Sequence, residues 1–406
     1  MSKFMLSLLL FLAINLLAAK AVVNLGQYDH GQKNEPEEQT WTEWALADFE
    51  KEKGKTAPVV ILGSSLVLTP VNLADAKFFN HTVNGAIHHK SDMLNNLLVA
   101  QGKDKATNFN FAIPGLMPSD AFLITKLLLP RAERGRLIIY GIGPRDFLDN
   151  LLASPASTDP YHSLSKLLPK EDKRMRESFV GTEWQSKLDY LIGRYIPFYG
   201  EKEKILEAMG DKCQLCASQL VALVKHDNAA INSFTVADVH NLLPNYEPMS
   251  IGIKQAIFFP NPQIDPNRFA KDLNEYRSRY GKANWDTFTC QTKFFVDFLK
   301  LARNNDDKVL IIAMPITSTN RQLLPEHVFS AYKNNLRVLS KTYGATFVDL
   351  DNSGRFNDED FGDTVHLSTT GSIKLIEAIA NYIEQYNLLD LSNKESNQLA
   401  NVGVKL

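Results

Sequence analysis

Residues that together can activate a hydroxyl stand at the two ends of this chain. Near the beginning is Gly63-Ser64-Ser65-Leu66, and near the end is Asp363-Thr364-Val365-His366. A serine hydroxyl is a weak nucleophile until a histidine takes its proton, and that histidine needs an acid to fix its tautomer and stabilise its charge. Asp363 and His366 are three positions apart and can meet on one turn, so Ser65, His366 and Asp363 make a complete set of nucleophile, base and orienting acid. Two further turns could supply donors to a developing oxyanion: Ala112-Ile113-Pro114-Gly115 and Gly141-Ile142-Gly143-Pro144-Arg145-Asp146. The backbone N–H of Gly115 suits that role. Each piece also has a plainer reading, with the serines as a helix N-cap, the Asp-x-x-His as a surface turn, and Gly115 and Gly143 as turn residues. Their common placement in the fold argues for the joint reading.

Five apolar runs have to provide that placement: Val59 to Gly63, Asn108 to Ile113, Leu137 to Ile142, Val309 to Ala313 and Ala345 to Leu350. Runs this rich in Val, Ile and Leu suit strands of a parallel sheet covered on both faces. Between them lie segments of helical period, such as Ser119 to Ala132, Pro325 to Thr342, and Thr370 to Tyr386 with Ile373, Ile376, Ala380 and Ile383 on one stripe. Strand alternating with helix predicts a doubly wound α/β structure. The candidate residues then fall on the carboxyl edge of the sheet, where open α/β folds bind ligands. Ser65 follows the first strand, Gly115 the second and Arg145 the third; Asp363 and His366 follow the fifth and lead into the last helix.

One interval breaks the rhythm. Residues 148–307 separate the third and fourth strands, far more than a crossover needs, and are expected to be a mainly helical insertion. Its predicted role is a lid or substrate wall, with its last helix packing on the sheet. Helical patterns run over Glu183 to Tyr195, Glu203 to Lys225 and Phe288 to Arg303, and a proline-rich aromatic loop spans Phe258 to Pro266. The aromatics Tyr195, Phe198, Phe258, Phe259 and Trp285 could stack on sugar rings or pack in a core. The chain thus divides into a leader (1–21), an N-terminal helical segment (22–57), the first half of the α/β domain (58–147), the insertion (148–307), the second half (308–386) and a polar tail (387–406).

The leader has the order of a secretory signal peptide: Lys3, a run from Phe4 to Ala19 broken by Ser7 and Asn15, then Ala19-Lys20-Ala21. The run is shorter than the roughly 20 apolar residues that span a bilayer, which favours cleavage after Ala21 over retention as a signal anchor. Both readings predict export to a periplasmic or extracellular site, the second with a membrane anchor. A formal net charge of −2 over 406 residues leaves no footprint for nucleic acid. Of the three cysteines, Cys213 and Cys216 form C-x-x-C on a helical pattern, which suits a small-loop disulfide better than redox chemistry. No ligand pair at zinc-site spacing accompanies them and the nine histidines are scattered, so neither a metal nor another cofactor is expected.

Taken in order, these motifs resemble the SGNH (GDSL-like) hydrolase family over residues 58–146 and 308–386. The family's Gly-Asp-Ser-Leu block matches Gly63-Ser64-Ser65-Leu66, its second-block glycine matches Gly115, and its Asp-x-x-His matches Asp363 and His366. The resemblance implies a three-layer flavodoxin-like fold on a five-stranded parallel sheet, with the insertion between strands three and four. It also implies a triad of Ser65, His366 and Asp363, with the N–H groups of Ser65 and Gly115 in the oxyanion hole. Two positions depart from the family pattern: Ser64 replaces its Asp, and Gly143-Pro144-Arg145-Asp146 replaces its Gly-x-Asn-Asp. Arg145 could donate to the oxyanion, hold an anionic substrate group, or pair with Asp146. The leader, the Gly-Ser-Ser block and the long insertion are similar to the envelope branch of the family, which includes alginate O-acetyltransferase proteins and the lipoteichoic-acid D-alanylation protein. That branch implies an acylated glycan as substrate and a membrane-bound O-acyltransferase as partner. A secreted carboxylesterase for small esters and a non-catalytic scaffold of the same fold are the other readings these residues leave open.

Overall fold

The structure, a computed structural model, describes residues 40–53, 57–103, 106–129, 135–152, 154–169, 173–179, 256–262, 268–281 and 284–389. Its strands are β1 (Val59–Gly63), β2 (Val83–Asn84), β3 (Asn108–Ala112), β4 (Leu137–Ile142), β5 (Ile257–Phe258), β6 (Lys308–Ala313) and β7 (Thr346–Asp349). Five of them form one all-parallel sheet in the order β3-β1-β4-β6-β7. All five apolar runs lie on these strands, within one residue at either end. β1, β3 and β4 are buried along their whole length and β6 exposes only Lys308. A strand with no solvent face needs no polar alternation, which is why β1, β4 and the buried part of β6 read as apolar runs, whereas β3 interleaves the buried Asn108 and Asn110.

Helix α1 (Trp41–Asp48) opens on a reciprocal cap between Thr40 and Glu43. α2 (Ser65–Phe79) follows β1, α3 (Asp92–Ala100) precedes β3, α4 (Pro118–Leu128) follows it, and α5 (Arg145–Leu148) follows β4. The insertion contributes α6 (Asp159–Leu164), α7 (Lys173–Phe179), α8 (Arg268–Tyr280) and α9 (Trp285–Asn304). α10 (Ser318–Arg321) and α11 (Glu326–Tyr343) connect β6 to β7, and α12 (Thr369–Gln385) comes last. Two groups form: α12 packs on α2 and α3, whereas α9 packs on α4, α5 and α11. The last helix of the insertion is therefore core, burying Phe294, Phe295, Phe298 and Leu299.

Two details differ from expectation. Phe258, placed in a loop by the sequence, lies in β5, which pairs antiparallel with β2 in a separate two-stranded ladder. Two residues per strand carry no readable periodicity, and Pro260 and Pro262 stop the pairing. The packed chain also runs past 386: Leu388 and Leu389 are buried. Here Asn387 adopts φ +46, its N–H donates to the Glu384 carbonyl and that of Leu388 to the Ile383 carbonyl. This is a Schellman closure, whose apolar residue after the turn folds back on the helix. The leader, residues 22–39, Tyr195, Phe198, the Cys213/Cys216 pair and residues 390–406 lie outside the described residues. Among the described residues no helix is long and apolar enough to cross a membrane.

The approach of α2 to the strand ends fixes the site. A Cβ at Gly63 would lie 2.3 Å from Val67 Cγ2, and one at Gly141 would lie 2.4 Å from the same methyl. Glycine on both strands lets the first turn of α2 settle against β1 and β4. Gly141→Ala is expected to destabilise the fold by about 1–3 kcal/mol, as overpacking does. On a Val67→Ala background the colliding methyl is gone, so the same change should cost less; equal penalties in a denaturant double-mutant cycle would refute the contact.

Candidate active site

Ser65 is the first residue of α2, directly after the turn that ends β1. Its Oγ lies 2.9 Å from His366 Nε2, and His366 Nδ1 lies 2.7 Å from Asp363 Oδ2. With Nδ1–H donated to the carboxylate, Nε2 presents its lone pair to the serine hydroxyl. Asp363 does more than orient the ring, because its Oδ1 accepts the N–H groups of Val365 and His366 at 2.9 and 2.6 Å and so folds the turn carrying His366. Burial pushes the Asp363 carboxyl up, yet the His366 hydrogen bond and charge, with the two N–H donors, hold it well below the usual carboxylate range. It is a carboxylate at neutral pH.

The turn is held from outside by the loop after β6. Thr317 Oγ1 donates to the Thr364 carbonyl at 2.7 Å, and Asn320 Nδ2 donates to Thr364 Oγ1 at 3.1 Å. Tyr280, from the insertion, donates to Asn320 Oδ1 at 3.2 Å. None of Thr317, Asn320 and Tyr280 stands out in the sequence, because their partners are 40 or more positions away.

On the other side of Ser65, Ser64 occupies the N-cap position of α2 but its side chain caps nothing. Its Oγ donates instead to Asp146 Oδ2 at 3.4 Å, which also accepts the Gly143 N–H at 2.8 Å. The Gly143 N–H is therefore occupied. By contrast, among the described residues the N–H groups of Ser65 and Gly115 meet no acceptor. Gly115 sits at φ +78, a left-handed conformation that favours glycine.

Arg145 pairs with Asp149 rather than Asp146: its Nε donates to Asp149 Oδ2 at 2.8 Å, one turn along. Its Nη2 lies 3.5 Å from where a Gly115 Cβ would stand, so the head of the guanidinium reaches the Gly115 turn. The i,i+4 spacing of Arg145 and Asp149 was a readable signal for that pair. The structure thus joins Ser65, His366 and Asp363 by hydrogen bonds, sets Arg145 beside Gly115, and turns Ser64 away towards Asp146. Such a site can generate a serine nucleophile and offers donors close to it.

Elsewhere, ligand-type atoms of Asp75, His88 and Asp92 lie within 4.8 Å of one another. Asp75 accepts the N–H groups of Asp92 and Met93 at 2.8 and 2.9 Å and faces His88 Nε2 at 2.7 Å, so this cluster serves the start of α3. Of the insertion's aromatics, Phe258 is half-buried, while Phe259 and Trp285 are 40% and 43% exposed.

Burial raises the Asp146 carboxyl to about 7, against the lowering effects of Arg145, the Gly143 N–H and the Ser64 hydroxyl. The folded protein therefore keeps a proton there that the unfolded chain releases near its ordinary value of 3.8. The associated stability is complete below that value and is lost as pH rises through about 7. Asp146→Asn, which cannot ionise, is expected to gain stability relative to the parent as pH rises from about 4 to about 7. A melting-temperature difference that stays flat over this range would contradict the assignment. No protein-family profile matches the chain, and no curated protein matches it significantly.

Proposed function

We propose that the chain is an exported, serine-dependent enzyme of the SGNH type acting on ester-linked acyl groups. In this reading it moves an O-acyl group such as acetyl to, or from, an envelope or extracellular polysaccharide through an acyl-enzyme. The observation that carries it is the continuous line Ser65 Oγ, His366, Asp363 Oδ2, with contacts of 2.9 and 2.7 Å. The sheet order supports it, since β3-β1-β4-β6-β7 is the flavodoxin-like order, with Ser65 just past the carboxyl end of β1, an interior strand. The polysaccharide arm rests on the leader, which favours export, and on the exposed Phe259 and Trp285, which suit sugar rings.

The chemistry follows from the contacts. His366 Nε2 takes the Ser65 proton as Oγ bonds to the ester carbonyl carbon, and Asp363 stabilises the imidazolium. The oxyanion meets the N–H groups of Ser65 and Gly115, with Arg145 beside them. Collapse breaks the ester C–O bond, and His366 returns the proton to the leaving alkoxide. Water or a sugar hydroxyl, deprotonated by His366, then attacks the acyl carbon, and collapse breaks its bond to Ser65 Oγ, which recovers the proton from His366. A membrane-bound O-acyltransferase would be the donor's source in the transfer direction.

Fluorophosphonate is expected to label the folded protein and its Ser64→Ala variant but not Ser65→Ala. Asp363→Asn should slow labelling by about 10⁴-fold, the scale of losing the correct histidine tautomer. Folded parent protein that takes no label sinks the enzyme reading. With an activated acetyl ester and oligosaccharide present, transfer to sugar should exceed hydrolysis; clear preference for water removes the transferase half.

A further inference from the structure

The insertion does more than neighbour the site: its helix α8 ends on the residue that anchors Arg145. Asp149 is almost wholly buried, with a side chain 1% exposed, and its Oδ2 receives two guanidinium groups. One is Arg145 Nε at 2.8 Å, and the other is Arg279 Nη1 at 2.6 Å. Asp149 Oδ1 takes the Leu151 N–H at 3.0 Å, so the carboxylate is fixed at both oxygens. Arg279 is itself tied down: its Nε and Nη2 both donate to Glu275 Oε1, at 2.8 and 2.5 Å. The chain after α5 is stitched to the end of α8, with Asn150 N–H on the Arg279 carbonyl at 3.0 Å and Asn150 Nδ2 on the Tyr280 carbonyl at 2.8 Å.

This arrangement engages Arg145 through Nε and leaves its terminal amino groups, among the described residues, without an acceptor; Nη2 is the one facing the Gly115 turn. A guanidinium on a long flexible stem is a poor donor unless its orientation is set in advance. Asp149 sets it, and Arg279 sets Asp149.

Resting on the acyl-transfer reading above, we propose that the Arg145 terminal amino groups are the side-chain donors to the oxyanion, and that Asp149 and Arg279 are positioning residues for them. The insertion then supplies part of the catalytic centre through Arg279. As the Ser65 Oγ–carbonyl carbon bond forms, the carbonyl electron pair moves onto oxygen, and Arg145 meets that charge with no proton transfer. Placement is what Arg279 contributes, and a displacement of about 1 Å in such a donor can cost on the order of 100-fold in rate.

The test is the rate constant for phosphonylation of Ser65 by a fluorophosphonate, measured on the full chain alongside melting temperature. Arg145→Ala is expected to slow it by about 100- to 1,000-fold, the scale of losing one oxyanion donor. Arg279→Ala should slow it by on the order of 10- to 100-fold, with Arg279→Lys recovering most of the loss. The deciding variant is the pair: once Arg145 is Ala, Arg279→Ala should add no further loss, because it acts through Arg145. With an activated ester the loss from Arg279→Ala should fall on kcat with KM little changed. Additive losses in the pair, or an Arg279→Ala rate equal to the parent's, overturn the proposal while leaving the serine-enzyme reading intact. Parent protein that does not label at Ser65 overturns both. Where Arg279→Ala fails to fold, Asp149→Asn takes its place in the pair: no added loss on the Arg145→Ala background supports the proposal, and additive loss overturns it.

Discussion

The hydrogen bond between His366 Nε2 and Ser65 Oγ joins residues 301 positions apart, and it forms because α2 and α12 lie against each other on the sheet. Ser65 opens one of these helices and His366 lies three residues before the first residue of the other. Anything that shifted either helix along its axis would open the 2.9 Å contact. Gly63 and Gly141 hold α2 down by leaving room for Val67, and the Schellman closure at Asn387 and Leu388 secures the far end of α12. The alignment of the site is in this sense a packing property of the domain, set by contacts that begin within one turn of Ser65 and extend to the far end of α12.

The parts of the fold legible in the sequence are those with a local physical signature. Buried parallel strands have no wet face, so β1, β4 and β6 appear as continuous Val, Ile and Leu; α11 and α12 show an apolar stripe because each has a wet side. Ser65, Asp363 and His366 are legible because their order along the chain matches the sheet edge. Asn320 and Arg279 are not, since each acts through a partner far along the chain, and of the two partners of Asp149 only Arg145, four residues away, is legible. Arg145 shows the boundary between the two cases. Its neighbour Asp146 invited a pairing that the helical turn of α5 gives instead to Asp149, while Asp146 faces Ser64 and Gly143.

Behind Ser65 and His366 the protein keeps a polar layer that a purely apolar core would lack. Asp363, Asp146, Asp149, Asn320 and Thr364 are each nearly or fully excluded from solvent. Most of their side-chain atoms are hydrogen-bonded, as a buried polar network requires. The exception is Asp146 Oδ1, which is buried with no partner among the described residues. Its carboxyl titrates near 7 because burial disfavours the charge, so the layer is more nearly neutral in acid than in base. Asp363, on the histidine side of the same serine, is driven the opposite way by His366. Of two buried carboxyls around one serine, burial thus wins at Asp146 and the hydrogen-bond donors win at Asp363.

Ser64 sits at the N-cap of α2 and does not cap it. A capping side chain ordinarily contributes about 1 kcal/mol to a helix by occupying its first N–H groups. This helix forgoes that contribution in the free protein, and its leading amide waits at the positive pole of the helix dipole. On the proposed chemistry an acceptor for that leading amide arrives from outside, as the oxygen of a tetrahedral intermediate. The helix is then most complete at the instant of reaction, and stabilisation that other helices collect on folding is here deferred to turnover.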